Sequence, residues 1–287
     1  MKYHIEKNTI QETLVIPLYA RALRTRRFPH LFADLLSVEL LEQMDYDFST
    51  LEQVSGGLMQ TFGAMEAAMR QNDLAWEVKD YLRDHPRAAV VNLGCGLDQT
   101  GRSCDNGQCR IYNVDLPGVM AVREALLPAG EREKNLAADL NDLSWFDAID
   151  TPPADGAVFF AAGVFYYFRT EQVQALCAAM ARRFPGGRLV FDAAGPTAVK
   201  LMLKTWIKQA GIRDVGAYFS VRDAEKELPA WSDRITVSSR GYMLGYREMR
   251  GPGIRPIHRL LAGIADGPLK LRIVRMAFRS SDADDDG

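Results

Sequence analysis

Apolar positions recur every three to four residues through the first third of the chain, then give way to short, continuous apolar runs. Leu14, Leu18, Ala22 and Thr25 share one face of a helix expected over Thr13 to Thr25. Leu31, Leu35, Val38 and Leu41 mark a second over His30 to Met44, just after Pro29. Gly57 to Arg83 is mixed, with the clearest helical spacing from Asp73 to Arg83 and a stop at His85-Pro86. From Ala88 the texture changes. Ala88–Leu93 reads as a buried strand running into Gly94-Cys95-Gly96, and Cys109–Val114 as a second strand ending at Asp115. A helix is expected over Pro117 to Leu127, a weak strand over Lys134 to Ala138, and a strong strand over Gly156 to Ala162. A helix from Thr170 to Phe184, with Thr170 as N-cap, precedes the Pro185-Gly186-Gly187 break and the strand Arg188–Phe191, which ends at Asp192. A further helix is expected over Thr197 to Ala210 and a strand over Leu269 to Phe278.

Strands alternating with helices predict an α/β domain, doubly wound around a mostly parallel sheet. Three segments follow from the same pattern: a helical cap or substrate segment over 1–85, the α/β core over 86–280, and an aromatic insertion near 215–237 within that core. Tyr218, Phe219 and Trp231 in the insertion are expected to form a lid or a small core, and Met65, Met69 and Trp76 to be core. The acidic end, 281–287, is expected to be disordered.

Composition narrows the function. An apolar fraction of 47% supports a substantial core, and a net charge of −2 lacks the basic surplus of a general nucleic-acid binder. Four scattered cysteines and four scattered histidines give neither a zinc spacing nor a disulfide framework. With no apolar run near ~18 residues, no membrane partner is expected, and a reducing cytoplasm is the expected location. Oligomeric state is not set by the sequence.

Doubly wound sheets bind ligands beyond the carboxyl ends of their strands. Gly94 and Gly96 allow a sharp turn and a close backbone approach. Asp115, nineteen residues after Gly96, is placed to accept the hydroxyls of an adenosine ribose, although a cap for the helix at Leu116-Pro117 is the competing reading. The dinucleotide fingerprint requires glycine or alanine where this chain has Gln99, so a pyrophosphate cofactor is disfavoured. S-adenosylmethionine (SAM) has no pyrophosphate. Asp139 is placed to accept from its adenine amine while Leu140 covers a ring face, with an exposed loop acid as the alternative.

The runs Val90–Asp98, Asn113–Pro117, Ala138–Leu140 and Gly163–Phe168, with Ile16–Ala22 and Phe184–Gly187, resemble the leucine carboxyl methyltransferase family, in particular its bacterial, tetracenomycin-type branch linked to polyketide O-methylation. The resemblance implies a Rossmann-like fold with a seven-stranded sheet, SAM as methyl donor with S-adenosylhomocysteine as product, and no metal. It implies that the turn Gly94-Cys95-Gly96 lies against the cofactor, that Asp115-Leu116 bind its ribose side, and that Asp139-Leu140 hold adenine. It also implies that Arg70, or secondarily Arg21, pairs with the methionyl carboxylate. Two departures stand out: Ala162 replaces the family glutamate beside the methyl group, and Gln99-Thr100-Gly101 replaces a run that often carries arginine.

In-line methyl transfer needs alignment above all, and a base only for a hydroxyl acceptor. Tyr166, Tyr167 and Asp192 are the candidates for that base. O-methylation of a small-molecule carboxylate or hydroxyl is the favoured activity. A diverged or non-catalytic SAM-binding protein, on account of Ala162, and a protein carboxyl methyltransferase remain the alternatives.

Overall fold

The continuous apolar runs become the centre of a seven-stranded sheet in the computed structural model, which describes residues 2–6, 11–54, 56–202 and 218–280. Its strands are β1 (Ala89–Leu93), β2 (Arg110–Asp115), β3 (Glu133–Ala137), β4 (Ala157–Ala161), β5 (Arg188–Ala193), β6 (Ile235–Gly241) and β7 (Arg272–Phe278). They lie in the order β3-β2-β1-β4-β5-β7-β6. The five strands from β3 to β5 are parallel, and β7 pairs antiparallel with both β5 and β6. In register, Val91 faces Tyr112 on one side and Phe159 on the other. Strand order reverses at β1, so the crevice between its end and that of β4 is the expected ligand position.

Every residue of β1 and β4 is buried, which is why both read as unbroken apolar runs. Alternate residues serve opposite layers. Val91, Phe159 and Phe191 pack with Val173, Leu176 and Met180 of α5 (Thr170–Arg183). On the other face, Val90, Val158 and Phe160 pack against Val78, Tyr81 and Leu82 of α3 (Leu58–Asp84). Further along that face Val190 and Ile273 meet Met65 and Met69 of α3 and Ala262 and Ala265 of α7 (Pro256–Asp266). The remaining long helices are α1 (Glu12–Arg27), α2 (Leu35–Glu42), α4 (Pro117–Leu126) and α6 (Pro196–Met202). Leu14, Leu18 and Ala22 of α1 join Leu40 and Leu41 of α2, Val119 and Val122 of α4, and Leu97 in a separate cluster over the glycine turn. A short parallel ladder, Tyr3–His4 with Met44–Asp45, completes that end.

Several expectations change. The helix read from Asp73 begins at Leu58, and α3, though it lies within the 1–85 segment, covers the sheet itself. Thr170 is not the N-cap of α5: Arg169 occupies that position, its N–H donating to Gln172 Oε1 at 2.9 Å. The edge strand β6 and helix α7 lay outside the pattern-based reading. Trp76 is not core; it is exposed and set edge-on against Tyr246, with Arg240 over both rings. Phe219 is core, packed on Phe165, Phe191 and Trp231, while Tyr218 is exposed. The helix expected to Ala210 is described only to Met202; residues 203–217 and the 281–287 end lie outside the described residues. No described helix is long and apolar enough to cross a membrane.

Candidate active site

The corner formed by β1 and β2 gathers the glycine turn and Asp115. Gly94 and Gly96 adopt φ of +60° and +46°, a region that costs a side-chain-bearing residue dearly. A Cβ on Gly94 would lie 2.6 Å from Val164 Cγ2, so the turn also needs glycine for space. Asp115 accepts a hydrogen bond at each oxygen, from Gly96 N–H and from Leu116 N–H, both at 2.8 Å. It does not cap α4, whose N-cap is Leu116 with no side-chain cap. Burial raises the Asp115 carboxyl above the usual carboxylate range, opposed by those two N–H groups. An ionised carboxylate has about four acceptor positions, so about two remain for outside hydroxyls. Leu116 is exposed beside it, and Cys95 is buried, its thiol pushed up by burial.

Buried side chains from three helices brace this turn. Arg123 of α4 donates through Nη1 to the carbonyls of Gly96 (2.9 Å) and Asp98 (2.7 Å). Arg21 of α1 donates to Asp34 Oδ2 at 3.0 Å and to the Leu97 carbonyl at 2.9 Å. Asp34 also accepts from Gln99 Nε2 and from the Ser37 N–H. Gln71 of α3 donates to Asp98 and to Thr100 Oγ. Arg21 thus ties the N-terminal helices to the turn. Sequence reasoning missed Arg123, Gln71, Asp34 and Asp98; Asp98, two residues past Gly96 and bonded to the Thr100 N–H, is the one with a local signal.

A second group lies at the ends of β4 and β5. Asp192 accepts from Gly163 N–H at 2.6 Å and from Arg70 Nη1 at 3.1 Å. Burial works against the Arg70 charge, but Asp192 outweighs it and holds the guanidinium pKa above its ordinary value. Arg70 Nε is buried with no hydrogen-bond partner. Gly163, at φ +73°, lets the guanidinium lie directly on the backbone. Tyr166 is buried beside Asp192, and burial with that carboxylate raises its phenol well above the ordinary value. Tyr167 is exposed. Ala162 is half-buried against the cluster containing Met65, Tyr166 and Tyr242.

Beyond β3, Asp139 is exposed and its Oδ1 accepts from the Asn141 N–H and side-chain amide at 2.9 and 2.8 Å. Leu140 is buried in the core and lines an outward groove of about 260 Å³ with Leu143, Ala175 and Leu176. The structure therefore brings Gly94, Gly96, Asp115 and Leu116 into one corner and Arg70, Ala162, Tyr166 and Asp192 into another. Arg21 supports the first from behind. Among the described residues no group of histidine, cysteine and acids could hold a metal ion.

The profile of the leucine carboxyl methyltransferase family matches residues 15–181, more than half of the chain and all of the first corner. The chain belongs to the leucine carboxyl methyltransferase family. It is thereby a SAM-dependent methyltransferase of that family. It is 27% identical over 270 residues to the tetracenomycin polyketide synthesis O-methyltransferase TcmP of Streptomyces glaucescens, covering 88% of this chain and 95% of TcmP. Solved structures agree in fold: a candidate methyltransferase of Thermobifida fusca (TM-score 0.59, 15% identity, 91% of this chain and 94% of that one) and a DUF574 family protein of Streptomyces avermitilis (0.60, 11%, 91% and 97%). Within this family member, the carboxylate at the β4–β5 corner comes from Asp192 on β5, with alanine at 162.

Proposed function

We propose that this leucine carboxyl methyltransferase family member methylates an oxygen of a small, polyketide-like molecule in the cytoplasm, with SAM as donor. The observation that carries the reading is the Asp115 corner. A half-buried carboxylate, fixed by two backbone N–H groups at the mouth of a glycine turn, keeps acceptor capacity directed outward. That arrangement fits a ribose diol, and the family and TcmP likenesses supply the donor and the acceptor class. When bound, SAM supplies an electrophilic methyl group on a sulfonium.

The chain's own residues bind and orient. Asp115 receives the ribose hydroxyls, with the backbone of Gly94, Cys95 and Gly96 approaching closely and Leu116 covering one side. Asp139, whose Oδ2 accepts no bond among the described residues, has a free oxygen for the adenine amine, with Leu140 behind it. Arg70 turns its remaining donors to the methionyl carboxylate while Asp192 fixes its plane. Arg21 holds α1 against the turn. The segment before residue 85 supplies the cap and part of the acceptor wall. All four cysteines are free and buried, consistent with a reducing compartment.

Calorimetric titration with SAM and S-adenosylhomocysteine, followed by incubation with methyl-labelled SAM and a panel of aromatic polyketide-like hydroxyls and acids, tests the proposal. Binding and label in an extractable small molecule are expected. Folded native protein that binds neither nucleoside would end the reading, and label recovered in protein would shift it to a protein carboxyl acceptor.

A further inference from the structure

Three stretches of chain that lack acidic residues meet at one end of the molecule. Residues 13–33, 53–65 and 249–265 contain neither Asp nor Glu, yet the first and third carry Arg24, Arg26, Arg27, Arg250, Arg255 and Arg259. Packing brings their ends together. Arg24 of α1 lies over the Phe28 ring and donates through Nη2 to the Thr61 carbonyl of α3 at 3.2 Å, and Arg27 donates to Thr61 Oγ1 at 3.3 Å. A Cβ on Gly251 would lie 2.6 Å from His30, and one on Gly253 2.9 Å from Phe28, so the stretch leading into α7 runs directly over the end of α1. His258, in the first turn of α7, is buried; burial and the Arg255 and Arg24 charges keep its ring below the ordinary imidazole value.

The C-terminus of α1 and the N-termini of α3 and α7 therefore share one face. Arg26, Arg27, Arg255 and Arg259 are exposed there. So are the apolar side chains of Leu58 (39%), Met59 (52%) and Leu260 (61%), and Ile264 (40%) extends the patch along α7. In α7, His258, Ala262 and Ala265 are buried, whereas Leu260 and Ile264, one turn apart, face outward. The outward side of a helix on a soluble protein is ordinarily polar. The face also has a fixed place relative to the site. Near the start of β5, Arg188 meets Glu77 and Asp80 of α3; near its end, Asp192 meets Arg70. The first turn of α3 thus stands about 14–18 Å beyond the strand ends that carry the glycine turn and Arg70.

We propose that this face docks the protein onto an anionic membrane surface. Such docking needs apolar side chains that enter the headgroup boundary and cations that meet lipid phosphates. Arginine suits the second task because its planar fork can grip two phosphate oxygens. No spanning segment is required: the expectation of no membrane partner came from the lack of a long apolar run, which bears on spanning alone. The neighbouring acids do not neutralise the patch. Asp34 holds Arg21, Glu248 holds Arg250, and Asp266 accepts from the Met243 and Leu244 N–H groups. A second copy of the chain fits the face poorly, since a two-fold dimer sets a patch against itself and would oppose arginine to arginine.

The test is co-sedimentation of the full chain with phosphatidylcholine vesicles, with and without about one-third phosphatidylglycerol. Binding to the mixed vesicles alone is expected, weakening as added salt screens the charges. Arg255→Gln combined with Arg259→Gln should weaken partitioning by ~20- to 30-fold, about fivefold for each arginine. Leu260→Ser combined with Ile264→Ser should weaken it by about tenfold or more. Both double variants change exposed side chains, so their thermal unfolding and SAM affinity should match the native protein. Native protein that stays in solution with mixed vesicles, binds both vesicle types equally, or partitions unchanged in the arginine variant would overturn the assignment. So would a native dimer split by the Leu260→Ser and Ile264→Ser pair, which gives the face to a second copy. Binding to polyglutamate as tight as to mixed vesicles would instead give it to an acidic protein. Sedimentation reads lipid binding and not methyl transfer, so the result stands whatever the acceptor is.

Discussion

Asp115→Asn separates two tasks that one carboxylate performs. In the folded chain each Asp115 oxygen accepts a backbone N–H at 2.8 Å, one from Gly96 and one from Leu116. Asparagine keeps one acceptor oxygen and replaces the other with an amide that meets an N–H head-on. One of these two donors, a part-buried or an exposed one, is then left to water, at no more than about 1 kcal/mol of stability. The same change removes one of the two oxygens offered to the ribose, and with it a charge-assisted hydrogen bond of about 1.5–3 kcal/mol. At ~1.4 kcal/mol per tenfold, SAM affinity should fall about 10- to 100-fold. The variant should unfold at lower urea with an unchanged slope, and calorimetry on the still-folded protein should show the weakened Kd. If stability falls as expected while SAM affinity stays within about twofold, Asp115 is only a brace for the turn and the ribose role is refuted.

Three further outcomes follow from other positions. Gly163→Ala places a Cβ 2.8 Å from Arg70 Nη1 at a φ of +73°; we expect the guanidinium to be displaced, with SAM affinity down by about tenfold or more as its ~1.5–3 kcal/mol bonds misalign, and unchanged calorimetry would remove Arg70 from the donor site. Burial raises Asp73 to about 8, with Glu77 and Asp266 adding and Arg247 opposing. The folded chain therefore keeps a proton that the unfolded chain releases near ~3.9, and the contribution of Asp73 declines as pH rises from there through about 8; Asp73→Asn should stabilise modestly by urea unfolding at about pH 5 and considerably more at about pH 9, and an equal effect at both would contradict this. Ala162→Glu adds a carboxylate next to Gly163, where Asp192 already holds Arg70; labelled-methyl assays should find the native chain active and the variant no more than a few-fold different, whereas transfer seen only in the variant would mark the native chain as a diverged cofactor binder.

The sheet centre was legible because β1 and β4 are buried on both faces, so their residues read as apolar without interruption. The first half of α3 was not. Phe62, Ala64, Met65, Ala68, Met69 and Gln71 are all buried, so no polar stripe repeats at the helical period. β6 is an edge strand with every second residue turned outward, and ITVSSRG carries only two strongly apolar side chains. The same logic divides the site. Gly94, Gly96 and Asp115 follow one another along the chain at a spacing dictated by strand, turn, helix and strand, and that spacing is visible. Asp139 shows the limit: its position after β3 is readable, but its exposure and its turn with Asn141 are not. The braces come from far away. Arg21 lies 76 residues from Leu97, and Gln71 lies 27 from Asp98, so their roles exist only once the helices are packed.

Those braces bear on how the site works. Arg21, Gln71 and Arg123 approach the glycine turn from three different helices, and two of them grip backbone carbonyls. A turn held by its carbonyls leaves its N–H groups and its open face fixed before any ligand arrives, which lowers the ordering cost of binding. The acids around it are then sorted by what they already hold. Asp34 is spent on Arg21 and the start of α2, Asp192 on Arg70 and Gly163, and Asp115 half on the turn. Tyr166, buried against Asp192, keeps its proton at neutral pH.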